Sequence, residues 1–580
     1  VSAHTPAGSP PGADGGAGGH APVASPGAGR VHPATRRALV ALVVLQGLVV
    51  LSYAVVVPTW RAPDEPSHFD MVRLARQGGP WPLEGGDRRL SRQIEASYEA
   101  ARLDLARRHQ EPPLARGEAV PRARRPTFDE LAADVADGAG NGMFQHPPGY
   151  YAAAAVGQAA LTTMAPTGGE WAYDEVVLAT RGLGAAVAAL LPWLAFAAAR
   201  RLGATPPAAL AAAVVPLGVP QLAHIAGAVS NDGLLAVIVG ALTCVSLRLA
   251  AGDAGARTGA AIGALAGAGL LVKGFALFAP ALVGPAAVVA GWRARRGGQP
   301  RPARRAAGCV ALATAIAAAV GGWWWVRNLA VHGTLQPSAV GVGDPPAGFD
   351  PPLGPWLAEA ATRLPTSFWG SFGWRQAQLP APAIVAATAV LLVGLVAAFA
   401  WRARAGGRAV DAADAVDATD AAGGPTGSPP GGVAGGRVDA ALALVPTVAV
   451  AGIVLVGAWR YHVTTGLTAA LQGRYLLGGL VGLAAVAAVG WQAISGASRW
   501  LPVGALAGAV ALHALAGWTL LERFYGPPGE AAATERLAAL AAWAPVATPA
   551  LAAIAVAVAV AVAVSARRLV AATSPARQRP

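Results

Sequence analysis

Apolar residues along this chain fall in long runs separated by short polar stretches, and twelve of the runs read as membrane spans, a segment of ~20 residues being enough to cross ~30 Å of hydrocarbon. They are Ala38–Pro58, Val176–Ala199, Leu210–Ala226, Gly233–Ala250, Gly259–Val272, Phe275–Ala290, Ala306–Trp325, Ile384–Ala400, Ala440–Ala458, Tyr475–Ile494, Trp500–Leu521 and Val546–Val564. A thirteenth apolar run, residues 149–164, is short. If it crossed, Arg200–Arg201 and the arginines between Arg293 and Arg305 would fall on the outer side, against the tendency of positive charge to stay inside. As an interfacial helix it leaves those clusters, Arg402, Arg404, Arg408 and Arg567–Arg568 all inside. The expectation is therefore an all-α polytopic membrane protein of about 12 transmembrane helices. As one helix, residues 259–290 would be nearly 50 Å long at ~1.5 Å per residue, so two crossings with a turn near Lys273 are expected.

Between the spans, residues 59–175 form a long first outer loop and 328–380 a second. Residues 1–37, rich in Gly, Pro and Ala, read as a disordered cytoplasmic tail, 402–437 as a disordered cytoplasmic linker, and 566–580 as a cytoplasmic C-terminal tail. The layout places a multi-pass protein in the plasma membrane with both termini inside.

Composition changes this picture little. The 580 residues are 54% hydrophobic and 13% charged, which excludes the soluble classes. The net charge of +13 would raise nucleic acid as a partner in a soluble chain; here the arginines flank apolar runs, and membrane lipid takes that place. Two cysteines, both inside apolar runs, supply neither a disulfide framework nor metal-ligand spacing. Tryptophans gather at span ends, as interfacial anchors do. Lys273 is the single lysine in the chain.

The candidate chemistry lies in the outer segments. Asp64 and Glu65, just after the first span and followed by Pro66 and His68, suit either a helix N-terminus or a general base meeting a substrate hydroxyl at the membrane surface. His146, before Pro147–Pro148 and Tyr150–Tyr151, is either part of an amphipathic anchor or a site residue. Asn231 and Asp232 open the fourth span, where a cap needs only one of them. Arg181 lies inside the second span, where a charge costs ~2.5–3.5 kcal/mol unless it snorkels or is paired. Lys273 at the hairpin turn is a compact point charge suited to a phosphate or carboxylate. Arg327 follows three tryptophans, Arg375 closes the aromatic stretch Ser367–Trp374, and Arg474–Tyr475 follow Gln472–Gly473. Such arginines beside aromatics either belong to an interfacial belt or hold a lipid phosphate. No Walker loop, dinucleotide fingerprint or serine elbow occurs. No cofactor is expected, although a divalent ion held by Asp64, Glu65 and phosphate oxygens is compatible with the residues.

Taken in order, PDEPSHF, HPPGYY, SND, LVKG, WWWVRN, SFWGSFGW and QGRYLL resemble a bacterial family of predicted integral membrane proteins catalogued as domain of unknown function family 2142. The likeness runs from about Ala38 to about Ile494. That family is distantly similar to the GT-C glycosyltransferases, among them the protein mannosyltransferases and aminoarabinose transferases. The resemblance implies a polyprenyl-phosphate-linked sugar as donor, and an envelope glycan or protein as acceptor. Asp64 or Glu65 would then be the catalytic carboxylate and His146 the basic residue before the paired prolines. The lipid phosphate would fall to Lys273, Arg327 or Arg474. The competing readings are a flippase or transporter of lipid-linked envelope precursors and a non-catalytic membrane scaffold.

Overall fold

The computed structural model describes residues 31–79, 81, 89–131, 140–163, 170–337, 345, 347–419, 436–468, 470–496, 498–526 and 531–574; of residues 105 and 401–419 it describes the backbone only. Of the expected tail 1–37, residues 1–30 lie outside these residues and 33–37 are helical; of the expected tail 566–580, residues 566–573 are helical and 575–580 lie outside, as does the centre of the expected linker, 420–435.

The chain is almost wholly helical. Its α-helices are α1 (Pro33–Val56), α2 (Glu65–Arg76), α3 (Arg92–Ala100), α4 (Gly149–Thr163), α5 (Tyr173–Ala188), α6 (Leu191–Arg201), α7 (Pro206–Val214), α8 (Pro220–Ala226), α9 (Asp232–Ala250), α10 (Ala256–Val272) and α11 (Ala279–Arg296). They continue with α12 (Pro302–Ala317), α13 (Trp323–His332), α14 (Leu353–Trp369), α15 (Ala381–Thr419), α16 (Arg437–Thr465), α17 (Leu480–Ser495), α18 (Leu501–Phe524), α19 (Ala533–Trp543) and α20 (Thr548–Thr573). One small antiparallel hairpin, β1 (Ser371–Phe372) and β2 (Ala377–Gln378), interrupts them.

Among the described residues, ten segments are long and apolar enough to cross a membrane, and the α7–α8 pair, bent by 60°, makes an eleventh if taken as one span. Prolines at 216 and 220 account for that bend, since each removes an intrahelical donor. The seventeen-residue α10 is apolar but shorter. All twelve expected runs are thus helical, with ten or eleven long enough to count as spans. The break between α10 and α11 falls at Lys273, whose extended backbone (φ −163°, ψ 146°) ends α10.

Several boundaries shift. The expected span 306–325 continues through a π-helical turn at Ala318–Gly322 into α13, so Arg327 and Asn328 are helical and the second outer loop begins after His332. Within that loop, α14 is an amphipathic helix. The expected linker is helical through Thr419, the continuation of α15. These helices run past the apolar core because Arg, Ala and Trp propagate a helix as readily as the apolar residues do.

The segment expected as the first outer loop, residues 59–175, builds a packed layer. Trp60, Phe69, Val72, Ile94, Phe128, Phe144 and Tyr151 bury one another in a core distinct from that of the bundle. Helix α4 caps it, resting on α2, α5 and the end of α10. In the bundle, small residues let backbones touch. A β-carbon on Gly490 of α17 would lie 1.7 Å from the Gly394 carbonyl oxygen of α15.

Gly490→Ala should therefore abolish the folded, monodisperse protein in detergent, while Gly452→Ala, whose added β-carbon meets nothing within 4 Å, should not lower the melting temperature. Size-exclusion profiles and thermal melts of the two variants check this.

Candidate functional site

The turn after α1 is set by one buried ion pair. Arg181 of α5 grips Glu65 with two parallel hydrogen bonds, Nε to Oε1 at 2.7 Å and one terminal nitrogen to Oε2 at 2.6 Å. The same guanidinium donates to the carbonyls of Ala54 and Val57 (2.7 Å each) and Pro58 (3.1 Å), the last acceptors of α1. Glu65 in turn accepts the backbone N–H groups of Trp60 (3.2 Å) and Val229 (3.0 Å). Both side chains are at most 1% exposed. Arg181 is paired, not snorkelling. Glu65, expected as one of two candidate bases, spends both oxygens on this anchor and lines no cavity.

Its neighbour Asp64 has the opposite surroundings. It sits at φ 60°, a left-handed conformation forced by the tight turn, and its side chain is 34% exposed. Its Oδ2 accepts a hydrogen bond from Arg474 at 2.7 Å, and Oδ1 has no protein partner among the described residues. Arg474 can reach it because Gly473 presses on α14. A β-carbon there would lie 1.9 Å from the Leu364 carbonyl oxygen, and the Gly473 N–H donates to Ser367 Oγ at 2.6 Å.

Asp64 and Arg474 line a cavity of about 460 Å³, together with Arg108, His109, Arg363 and Arg375. The short hairpin carries Arg375 at its turn, with φ 68°. Helix α8 fixes that hairpin: Gln221 accepts the Ser371 N–H (2.6 Å) and His224 the Gly373 N–H (3.1 Å).

Behind the cavity lies a second, buried group. Lys273 bonds Asp232 at 2.5 Å and stands 4.9 Å from the centre of the Tyr475 ring, whose other neighbour is the Arg474 guanidinium at 5.4 Å. Asn231 donates to the Val272 carbonyl (3.3 Å), tying the start of α9 to the end of α10. His68 shares a hydrogen bond with the Tyr151 hydroxyl (2.9 Å) and stacks on His146 at 6.1 Å. Burial, reinforced by the Lys273 charge, pushes the His68 imidazole down to about 3, and the same two causes hold His146 well below the ordinary histidine value.

Of the expected residues, then, Asp64, Arg375 and Arg474 share the cavity. His68, His146, Asn231, Asp232, Lys273 and Tyr475 form the group behind it, with Arg474 as the bridge. Arg327 joins neither; it lies 6.0 Å from the Trp324 ring and has no ion pair among the described residues. Arg108, His109 and Arg363 were not expected, since they stand in no motif. Among the described residues no three His, Cys, Asp or Glu side chains gather as a metal site requires.

A family model described as "Predicted membrane protein (DUF2142)" matches residues 47–483, three quarters of the chain. The chain belongs to that family. The matched DUF2142 segment takes in both groups of site residues. No curated protein matches the sequence. Among solved structures, the crystal structure of ArnT from Cupriavidus metallidurans bound to undecaprenyl phosphate superposes with a TM-score of 0.43 at 16% identity, over 92% of this chain and 75% of that one. At that distance nothing about the DUF2142 site is carried over from it.

Arg181→Met should cost about 3–5 kcal/mol of stability, because the Glu65 carboxylate would be left buried and unpaired; adding Glu65→Gln should recover part of the loss in thermal melts. The histidines set a pH dependence. With a folded value near 3 against an unfolded value of about 6.5, His68 takes up its proton only on unfolding. Its stabilising contribution is complete above about pH 6.5 and declines as the pH falls toward 3. Melting temperature should drop between pH 7 and pH 5, and drop less in His68→Gln.

Proposed function

We propose that this protein is an inverting glycosyltransferase that moves a sugar from a polyprenyl phosphate to a cell-envelope acceptor on the outer face of the plasma membrane. The observation that carries the reading is Asp64: a half-exposed carboxylate with one oxygen free, opening on a cavity rich in arginine, at the membrane end of the bundle. The order of motifs that resembles the GT-C enzymes supports it. The arginine clusters at residues 200–201, 293–305 and 567–568 stand at the opposite ends of their helices from Asp64, which supports an outer site with both termini inside.

In the reaction, the acceptor oxygen attacks the anomeric carbon while its proton passes to the free Asp64 oxygen. The bond from the anomeric carbon to the phosphate oxygen breaks with its electrons going to the phosphate. Arg474, already within reach of Asp64, meets the charge that develops there, and Lys273 adds a second positive charge behind Tyr475. The Lys273–Asp232 and Glu65–Arg181 pairs hold this geometry without taking part in the proton transfer.

Membranes containing the Asp64→Asn variant, supplied with a labelled lipid-linked sugar, should show transfer reduced by about 100-fold or more at unchanged protein level. Wild-type transfer by that variant would overturn the reading. Glu65→Gln should instead lower the amount of folded protein.

A further inference from the structure

One lipid phosphate does not account for the cavity. Four arginines, Arg108, Arg363, Arg375 and Arg474, line it against a single carboxylate, Asp64. Arg474 binds Asp64, Arg363 binds Glu359 at 2.5 Å and the Thr468 hydroxyl at 2.8 Å, and Arg108 is likewise engaged within the protein. Arg375 makes no hydrogen bond or ion pair among the described residues. Its side chain is exposed, and partial burial together with the neighbouring Arg363 charge lowers its pKa. A non-glycine residue at φ 68° is strained, and the hairpin that imposes the strain is itself anchored on Gln221 and His224.

Unmet hydrogen-bonding capacity collects on the same wall. Ser371 Oγ and Arg474 Nε are buried, belong to cavity-lining residues that are 4% and 6% exposed, and have no partner among the described residues. Beside them stands the Trp374 indole, held by its N–H to the Trp60 carbonyl (3.2 Å), with the Arg108 guanidinium 5.4 Å from its ring. An indole beside a guanidinium group suits a sugar ring that carries negative charge.

We propose that Arg375, Arg108 and Trp374 form a subsite for an anionic acceptor glycan, one bearing carboxylates or phosphodiesters, separate from the lipid phosphate held near Arg474. The assignment of this ligand as the acceptor rests on the glycosyltransferase reading, whereas the existence of the subsite does not. The charged ring lies on Trp374, its anion is shared by Arg375 and Arg108, and its hydroxyl is offered toward Asp64.

Calorimetric titration of the purified full chain in nanodiscs tests this with four probes: trigalacturonate, a glycerol-phosphate trimer, neutral maltotriose and undecaprenyl phosphate. At least one acidic probe should bind about tenfold tighter than maltotriose, and should weaken about tenfold in Arg375→Gln and less in Arg375→Lys. Undecaprenyl phosphate should bind both variants as it binds the wild type. The arm that binds tells carboxylate from phosphodiester. Equal binding of neutral and acidic probes, an Arg375→Gln variant of wild-type affinity, or a parallel loss of undecaprenyl phosphate binding would each overturn the subsite. Because these are binding measurements, the subsite stands or falls independently of whether Asp64→Asn abolishes transfer.

Discussion

The buried pair of Arg181 and Glu65 is the constraint on which the outer end of this molecule depends. A guanidinium in a membrane helix is costly alone, about 2.5–3.5 kcal/mol on the insertion scale. Here it meets a carboxylate and three terminal carbonyls of α1 together, so nearly every donor has an acceptor. Those contacts join α1, α5 and α2 at one point, and the Val229 N–H brings in the approach to α9. The turn that results leaves Asp64 in a left-handed conformation, pointing its neighbours into the protein while it remains half-exposed.

From that anchor, polar groups pass from a buried cluster to an exposed rim. The Lys273–Asp232 pair and the two stacked histidines lie behind Tyr475, Arg474 spans from that ring to Asp64, and the arginines of the second outer loop complete the open side. Charges in the inner group are paired, while the histidines are held uncharged by burial. Arg375, which makes no hydrogen bond or ion pair among the described residues, stands at the cavity surface, where water or a ligand can meet it. Such a gradient keeps the inner framework rigid while leaving the outer wall free to bind.

Much of the fold was legible in the order of residues. Apolar runs, arginine clusters and the break at Lys273 each express a local preference: solvation by lipid, attraction to one side, or the length of helix a bilayer accommodates. The short run at 149–164 was expected to be non-spanning by parity; through Thr163 it forms α4, whose Tyr151, Ala154 and Ala155 pack into the separate core around Trp60. Helix ends were less legible. Ala, Arg and Trp carried α13 to His332 and α15 to Thr419, past where apolarity stops.

The candidate site was legible only by residue type. Sequence placed carboxylates, histidines, a lone lysine and arginines in the outer segments, and the run of motifs suggested a common role for them. Asp64 and Glu65 are adjacent and chemically alike; nothing in their order distinguishes a structural anchor from a carboxylate open to a cavity. That decision belongs to partners 116 and 410 residues away, Arg181 for one and Arg474 for the other. Likewise Arg108, Arg363 and Arg375 become neighbours only when α8 fixes the hairpin and α14 packs on Gly473. Membrane partitioning acts on each segment by its own composition and so can be read in one dimension. Which charge is buried, paired or free is set by packing between distant segments, and only the tertiary structure decides it.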